Sequence, residues 1–271
     1  MKLGMRGHDF GRKSITDLAQ SIKSAGFDCL QLAPTKAIEN IENFNDITQA
    51  LIGEIKEQFE KSSLEITVYG CYIEPSLEDE NERLAQVAHF INGIKWAKML
   101  GASLIGTETT HLSIDASNET REAAYQRLLD SVKRMAKVAE VEGVDIGIEP
   151  VAEHVLNTPE LAYRLINEVN SPRLKIIFDP VNLVLPRTIH KQTEIYDKLF
   201  ELLGEKIAVV HMKDISIENN QKVWQKIGHG LINYPYIFKW LKANKPQIRL
   251  LREIIKKESS EEDRQAMQNL L

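Results

Sequence analysis

The stretch Asp145-Ile-Gly-Ile-Glu149 decides the fold, because it is a short apolar run that stops on a carboxylate. Three later runs end on a polar residue in the same way: Ile-Ile-Phe-Asp179, Ala-Val-Val-His211 and Leu-Leu-Arg-Glu253. Successive ends lie 30, 32 and 42 residues apart, about the length of a strand, a helix and two loops. Polar strand ends are common where a strand meets water, but four ligands at equivalent positions of parallel strands favour a metal site.

The same strand-then-helix unit recurs eight times along the chain. Helix signals separate the strands: Ser14 and Thr158-Pro159 begin helices, Gly101 ends one, and Ser259-Ser-Glu-Glu262 has the pattern of a capping box. The strand candidates are Lys2–Arg6, Cys29–Leu32, Ile66–Tyr69, Ser103–Gly106, Asp145–Glu149, Lys175–Asp179, Ile207–His211 and Arg249–Glu253. Since no linker divides them, we predict an α/β fold with one domain over residues 1–271, a single (β/α)8 TIM barrel.

The alternative architecture is a doubly wound open sheet. It is disfavoured because no Gly-x-Gly-x-x-Gly follows the first strand. In addition, ligands on the fifth to eighth strands form an arc only if the sheet closes. The closed barrel is therefore the prediction.

Composition and charge limit the class of protein. With 43% apolar and 27% charged residues in 271, the chain can bury one large core. The net charge is −5 and the basic residues are scattered, which argues against nucleic acid as a partner. No signal-like or bilayer-spanning run occurs, so we expect a cytoplasmic protein with no membrane partner. Cys29 and Cys71 lack Cys-x-x-Cys spacing and are expected to be buried thiols.

The four strand-end residues resemble the metal ligands of the xylose-isomerase-like sugar phosphate isomerase/epimerase superfamily, which includes ketose 3-epimerases, hydroxypyruvate isomerase, inosose dehydratase and endonuclease IV. The resemblance covers essentially the whole chain. It is carried by Gly-Cys-Tyr-Ile-Glu-Pro75, Gly-Thr-Glu-Thr109, Ile-Glu-Pro150, Phe-Asp-Pro-Val-Asn-Leu183, His-Met-Lys-Asp214 and Gly-His-Gly230. It implies the barrel fold and the metal site, but it leaves the substrate open because the superfamily spans several reactions.

Two positions depart from the ketose 3-epimerase pattern. That family usually has a histidine three residues after the strand-six aspartate and an arginine six residues after the strand-seven histidine, where this chain has Asn182 and Ile217. Asn182 can hydrogen-bond a sugar hydroxyl but cannot carry a proton. Endonuclease IV needs extra histidines that are also missing, including the one at Asn182, so a DNA-repair nuclease is disfavoured.

The ligand set predicts one divalent ion bound by Glu149, Asp179, His211 and Glu253, with Mn²⁺ first, Mg²⁺ and Co²⁺ next, and then Zn²⁺. Glu149 and Glu253 reach the ion from opposite ends of the ligand arc, and a chelated sugar would lie between them. The metal would acidify a C–H beside the carbonyl and stabilise an enediolate. One glutamate would remove the proton and the other would return one, and the sequence does not assign which does which.

Six further residues are predicted to line the substrate pocket: His8, Tyr72, Glu108, His154, Asn182 and Lys213. For three of these features the sequence also allows an ordinary structural or surface role. His8 could instead be a structural histidine beside Asp9, Tyr72 and Glu108 could be solvated loop residues, and Lys213 with Asp214 could be a surface ion pair.

The loop that contains Gly228 and Gly230 offers backbone N–H groups where TIM barrels often hold phosphate. A phosphorylated substrate is nevertheless disfavoured, because Lys213 and Arg6 are the only evident pocket cations.

The sequence thus predicts a metal-dependent sugar, or sugar phosphate, isomerase or epimerase. An inosose-type dehydratase would use the same site and stays an alternative. A barrel that binds a sugar without turnover is a further alternative, which the complete ligand set disfavours. The expected partner is a small sugar. A homo-oligomer is compatible with the sequence, which does not specify the oligomeric state.

Overall fold

In the computed structural model of the protein, eight parallel strands hydrogen-bond in a closed ring and a separate hairpin stands outside it. The structure describes the backbone of all 271 residues and every side chain except that of Lys257. The strands are β1 (Lys2–Arg6), β2 (Cys29–Leu32), β3 (Glu65–Gly70), β4 (Leu104–Glu108), β5 (Asp145–Glu149), β6 (Leu174–Phe178), β7 (Ile207–Met212), β8 (Asp214–Glu218), β9 (Gln221–Gln225) and β10 (Arg249–Arg252).

The helices lie between the strands and cover the outside of the ring. They are α1 (Ile15–Ser24), α2 (Pro34–Ala37), α3 (Gln49–Lys61), α4 (Glu80–Leu100), α5 (Asn118–Glu142), α6 (Pro159–Val169), α7 (Gln192–Leu203), α8 (Tyr234–Asn244) and α9 (Ser260–Leu270). Around the ring the strand order is β1-β10-β7-β6-β5-β4-β3-β2. The predicted (β/α)8 TIM barrel is confirmed, and β10 is its eighth strand.

Alternate residues of the strands fill the inside of the barrel. An apolar layer crosses it, formed by Cys29, Val68, Leu104, Ile177, Val209 and Leu251. Ile177 needs the space that two glycines leave: a Cβ at Gly106 would lie 2.7 Å from its Cδ1, and one at Gly147 would lie 2.8 Å from its Cγ1. Because strand side chains alternate, the residues two positions further along point the same way. Glu149 and Asp179 therefore stand above this layer, at the mouth of the barrel.

The helix signals in the sequence are largely confirmed. Thr158 accepts a hydrogen bond from the backbone N–H of Leu161 at 3.2 Å, with Pro159 as the first residue of α6. Ser14 accepts from the backbone N–H of Asp17 at 3.1 Å, and Gly101 ends α4 at a φ of 70°. Such a cap is worth about 1 kcal/mol. The helices with these caps pack their apolar faces on the barrel and hold the strands in place.

Two features differ from the sequence prediction. The hairpin of β8 and β9 was not predicted, because it lies outside the repeating unit; Asn219 and Asn220 form its turn with φ values of 47° and 59°. The capping box at Ser259 is wrong, since its hydroxyl donates to the carbonyl of Lys256 at 3.3 Å and forms no cap hydrogen bond. A short 3₁₀ turn, Lys257–Ser259, precedes α9, and the Ser259 hydroxyl bonds the carbonyl before that turn instead of the first N–H groups of α9.

Both cysteines are buried free thiols, as predicted. Burial raises the pKa of Cys29 to about 11, so this thiol stays protonated at neutral pH. In the part of the chain that the structure describes, no helix combines the length and the apolar composition that a membrane span requires.

Candidate active site

The ends of β5, β6 and β7 bring three potential metal ligands together at the C-terminal mouth of the barrel. Glu149, Asp179 and His211 each offer one ligand atom, and these atoms lie within 4.8 Å of one another. All three side chains are buried. The three strands are neighbours in the ring, so the convergence follows from the parallel register rather than from loop geometry.

Glu253 follows β10, which lies on the other side of β7 from β5 and β6 in the ring. Its Oε1 is 3.4 Å from Nδ1 of His211, while Oε2 of Glu149 is 3.0 Å from the same nitrogen. Burial favours the neutral form of Glu253, but Lys213 and the other cations around it outweigh burial and hold the pKa of this carboxyl below its usual range. Glu253 is therefore a carboxylate at neutral pH.

The imidazole of His211 is oriented by a chain of hydrogen bonds from the opposite wall. Its Nε2 lies 2.9 Å from Oε1 of Gln31, whose amide nitrogen donates to the Tyr72 hydroxyl at 2.6 Å. In this arrangement Nε2 donates to the Gln31 oxygen, and Nδ1 faces the glutamates. Burial disfavours the charged ring, but the carboxylates of Glu253 and Glu149 outweigh it and raise the pKa of His211 to about 9. The sequence analysis missed Gln31, although it occupies an inward position of β2.

Lys213 is buried and neutralises two of the carboxylates. Its Nζ is 2.9 Å from Oδ2 of Asp179 and 2.8 Å from Oε2 of Glu253. Burial alone would lower the pKa of Lys213, but the two carboxylates raise it above its ordinary value. The surface ion pair with Asp214 that the sequence left open is therefore wrong, because the partners of Lys213 lie inside the barrel mouth.

Asp214 is also buried, and it organises the loop before α8. Its carboxylate accepts backbone N–H bonds from Gly228 at 2.9 Å, Gly230 at 3.0 Å and Ile232 at 3.2 Å. Those N–H groups are consumed inside the protein, so the sequence-based suggestion of a phosphate site on this loop is wrong. A side chain at Gly230 would also collide with Asp214, at 2.2 Å from Oδ1.

Asn182 and Glu108 both approach Glu149. The amide nitrogen of Asn182 donates to Oε1 of Glu149 at 2.5 Å. Glu108 lies beside Glu149 in the register of β4 and β5. Burial and then the charge of Glu149 raise the pKa of Glu108 to about 7. His154 lies at the rim, with Nε2 3.9 Å from Oε2 of Glu108.

Two buried atoms test whether these residues suit a metal ion. Nδ1 of His211 and Oδ2 of Asp179 make no well-formed hydrogen bond with the side chains that the structure describes, and their charged neighbours are Oε2 of Glu149 at 3.0 Å and Nζ of Lys213 at 2.9 Å. The other oxygen of Asp179 accepts from the backbone N–H groups of Val181 at 2.8 Å and Asn182 at 2.9 Å. Both atoms are of the kind that coordinates metal in such sets, and carboxylate with imidazole suits a divalent cation.

The β1–β3 side of the mouth carries His8, Tyr72 and two cations. The ring of His8 stands edge-on to that of Tyr72, with centroids 6.4 Å apart. Burial, then Arg6 and Lys36, lower the pKa of His8 to about 4, so this histidine is neutral at physiological pH. Lys36 was missed in the sequence, because it lies in the short helix α2 and carries no motif.

The β8–β9 hairpin folds over the β6–β7 side of the mouth. Lys222 donates to the carbonyl of Val181 at 2.9 Å and so fastens β9 to the loop after β6. Trp224 points the same way along β9, and its ring centre is 5.8 Å from Nζ of Lys213. Ile217, which stands where ketose 3-epimerases have arginine, lies on β8.

Comparison with known proteins identifies relatives. A family model described as the xylose isomerase-like TIM barrel matches residues 19–270. The structure of a D-tagatose 3-epimerase-like protein is similar with 19% identity and a TM-score of 0.80, over 100% of this chain and 97% of that one. The 3-keto-D-glucoside 4-epimerase YcjR from E. coli has 20% identity and a TM-score of 0.76, over 100% of this chain and 98% of that one.

A third similar structure is the IolI protein with a bound zinc atom, with 18% identity and a TM-score of 0.76 over 100% of this chain and 96% of that one. At these identities the likeness establishes the fold and not the reaction. No curated protein sequence matches the chain.

Proposed function

This chain belongs to the xylose isomerase-like TIM barrel family, and we propose on that basis that it is a divalent-metal-dependent isomerase or epimerase of a small sugar. The observation that carries the proposal is the approach of Glu149 and Glu253 to one nitrogen of His211, at 3.0 and 3.4 Å. Two carboxylates thus flank one metal-binding point, which is what proton transfer on two sides of a bound sugar requires. The relatives named above as epimerases support the sugar as substrate class.

Glu149, Asp179 and His211 would hold the ion together with Glu253, whose Oε1 lies 3.4 Å from Nδ1 of His211, and Mn²⁺ is our first candidate. When bound, the ion would polarise the sugar carbonyl and stabilise the negative charge that proton removal leaves. Gln31 and the Tyr72 hydroxyl orient His211 for this task.

Glu149 and Glu253 would be the acid/base pair. Glu253 begins as the carboxylate, since the cations around it lower its pKa. Asn182 donates to Oε1 of Glu149 at 2.5 Å and so fixes the direction of that carboxyl. The return of a proton to the same carbon from the other side would be an epimerisation, and its return to the adjacent carbon would be an aldose–ketose isomerisation.

His8, Tyr72, Glu108, His154 and Lys213 would surround the sugar at the rim. Glu108 has a pKa of about 7, so near neutral pH it can donate or accept a hydrogen bond toward a hydroxyl group. Trp224 offers an aromatic face beside Lys213, at the place where the hairpin overhangs the mouth.

The test is a screen of ketoses and ketose phosphates in D₂O with Mn²⁺, followed by mass spectrometry and NMR. We expect one substrate to gain deuterium at the carbon beside its carbonyl and to give a stereoisomer or positional isomer of equal unlabelled mass. Parallel reactions with EDTA should show no exchange. A product that has lost water would identify the dehydratase instead. Metal-loaded protein that exchanges no substrate proton across the panel would contradict the proposed function.

A further inference from the structure

Lys36 is an exposed lysine whose ammonium has no counter-ion among the described residues. It lies in α2, just after β2, and its Nζ stands 3.7 Å from the centre of the Tyr72 ring. Within the described part of the chain, no carboxylate comes within ion-pair distance of this ammonium. The face of a tyrosine ring is a weaker partner for a cation than a carboxylate is, so this ammonium can still take up an anion. Burial lowers the pKa of Lys36, as expected for an incompletely neutralised charge.

Arg6 is a second cation on the same β1–β3 side of the barrel mouth. The group formed by Arg6, His8 and Lys36 is called the corner below. Arg6 ends β1, and its Nε and Nη2 donate to Oδ1 of Asp9 at 2.9 and 2.7 Å. Its Nη1 is left facing the mouth, 3.5 Å from Oε1 of Glu253. After burial, Arg6 is the largest influence that lowers the pKa of Lys36, so the two positive charges act on the same region.

His8 completes the corner with a hydrogen-bonding group that is not used inside the protein. Its Nδ1 is buried and has no hydrogen-bond partner among the side chains that the structure describes. Because the ring is neutral at physiological pH, one of its nitrogens can donate a hydrogen bond to an anion.

The corner is connected to the metal-binding residues by one layer of side chains. Lys36 lies against the Tyr72 ring, the Tyr72 hydroxyl accepts from Gln31, and Gln31 contacts His211. A ligand held at the metal-binding residues would therefore have its remaining groups within reach of Lys36. Of the carboxylates nearby, Asp9 is engaged by Arg6, and Glu253 is shared with Lys213 at 2.8 Å. Glu108 also acts on Lys36, but burial and the charge of Glu149 raise its pKa to about 7, so its negative charge is incomplete at neutral pH.

We propose that Arg6, His8 and Lys36 form a subsite for an anionic group of the substrate, either a phosphate or a carboxylate. The sugar portion of that substrate rests on the proposed function. The subsite supplies the cations that the sequence analysis did not find when it disfavoured an anionic substrate: Lys213 is consumed by Asp179 and Glu253, whereas Lys36 is available.

Three ligands with one ketose skeleton test the subsite: D-fructose, D-fructose 6-phosphate and D-fructuronate, in which carbon six carries a hydroxyl, a phosphate or a carboxylate. Calorimetry on the Mn²⁺-loaded protein should show an anionic ligand binding about tenfold or more tightly than D-fructose, as expected for charge-assisted hydrogen bonds. The anionic ligand that binds more tightly then shows whether the subsite takes a phosphate or a carboxylate. Lys36→Met should remove most of the preference and change D-fructose affinity by less than about twofold, and Lys36→Arg should retain the preference.

Lys133→Met is the matched control, because Lys133 is an exposed lysine on α5, and it should behave as wild type. Equal affinity of the wild type for all three ligands would overturn the subsite, as would a Lys36→Met variant that loses D-fructose and the anionic ligands equally. If none of the three sugars binds, inorganic phosphate decides. Phosphate binding that Lys36→Met abolishes would support the subsite while the sugar function fails, and phosphate binding that is absent or unaffected by this change would overturn it.

Discussion

Replacing Lys213 by methionine removes the positive charge that the protein itself places among its potential metal ligands. The ammonium bridges Asp179 and Glu253 at 2.9 and 2.8 Å, and the side chain is buried. Methionine has a similar length and fills similar space, so the change acts mainly on charge. Removing one partner of a buried ion pair leaves an uncompensated charge and costs roughly 3–5 kcal/mol. We expect the free energy of unfolding of the metal-free variant to fall by about that amount.

Bound metal should reverse much of this loss. In the wild type an incoming cation meets carboxylates that Lys213 already neutralises, whereas in Lys213→Met it supplies their missing counter-charge. The stability that Mn²⁺ adds, which follows RT ln(1 + [L]/Kd), should therefore be larger in the variant than in the wild type. Urea unfolding in EDTA and in excess Mn²⁺ measures both quantities, and calorimetry measures the Mn²⁺ affinity directly.

Lys222→Met is the control for this experiment. Lys222 is also withdrawn from solvent, but its Nζ donates to the carbonyl of Val181 and not to a carboxylate. Its replacement should cost about 1 kcal/mol, equally with and without metal. An equal gain from Mn²⁺ in Lys213→Met and wild type, or an unchanged stability of the metal-free Lys213→Met protein, would refute the argument.

Three further predictions follow from the same residues. Glu149→Gln and Glu253→Gln should each lower turnover by orders of magnitude while the fold survives, because an amide cannot carry a proton at neutral pH. Near wild-type turnover with metal bound would contradict this. Glu54→Gln, which changes an exposed carboxyl on α3, serves as the control. The pKa of Glu108 is raised from 4.5 to about 7 in the folded protein, so the wild type loses the associated stability as pH rises through that window. Relative to the wild type, metal-free Glu108→Gln should therefore be more stable at high pH than at low pH. The relative stability of the variant should rise by about 1 kcal/mol between about pH 5 and pH 8, a value discounted because the Glu108 side chain is 38% exposed. The same difference in urea midpoint between variant and wild type at both pH values would disprove this. His211→Ala should reduce bound metal, measured by elemental analysis, from about one ion per chain to much less, since it removes the nitrogen ligand; full retention of the ion would place the site elsewhere.

The barrel and the positions of Glu149, Asp179 and His211 could be predicted because they depend on local patterns. Strand alternation sets which residues point inward, and the spacing of successive runs sets how many units the ring contains. Gly147 illustrates this, since the same alternation that directs Glu149 into the mouth places the glycine against Ile177. Parallel register then brings the strand ends together without any further information.

Residues whose role depends on contacts across the ring were missed or misjudged. Gln31 contacts His211 from 180 positions away, and no periodicity marks that contact. The hairpin with Lys222 and Trp224 interrupts the repeat, so the repeating pattern did not predict it. Lys36 stands in a four-residue helix with no chemical motif, and it matters only because the barrel places Tyr72 beneath it.

The sequence by itself determined the closed ring of eight units and the residue types at its mouth, because backbone periodicity acts over a few residues. Only the tertiary structure decided which charges neutralise one another: Lys213 turns to Asp179 and Glu253, and Asp214 to the backbone of its own loop. The physical reason is that ion pairing and hydrogen bonding depend on distances of about 3 Å between atoms far apart in the chain. Those distances exist only once the barrel has closed.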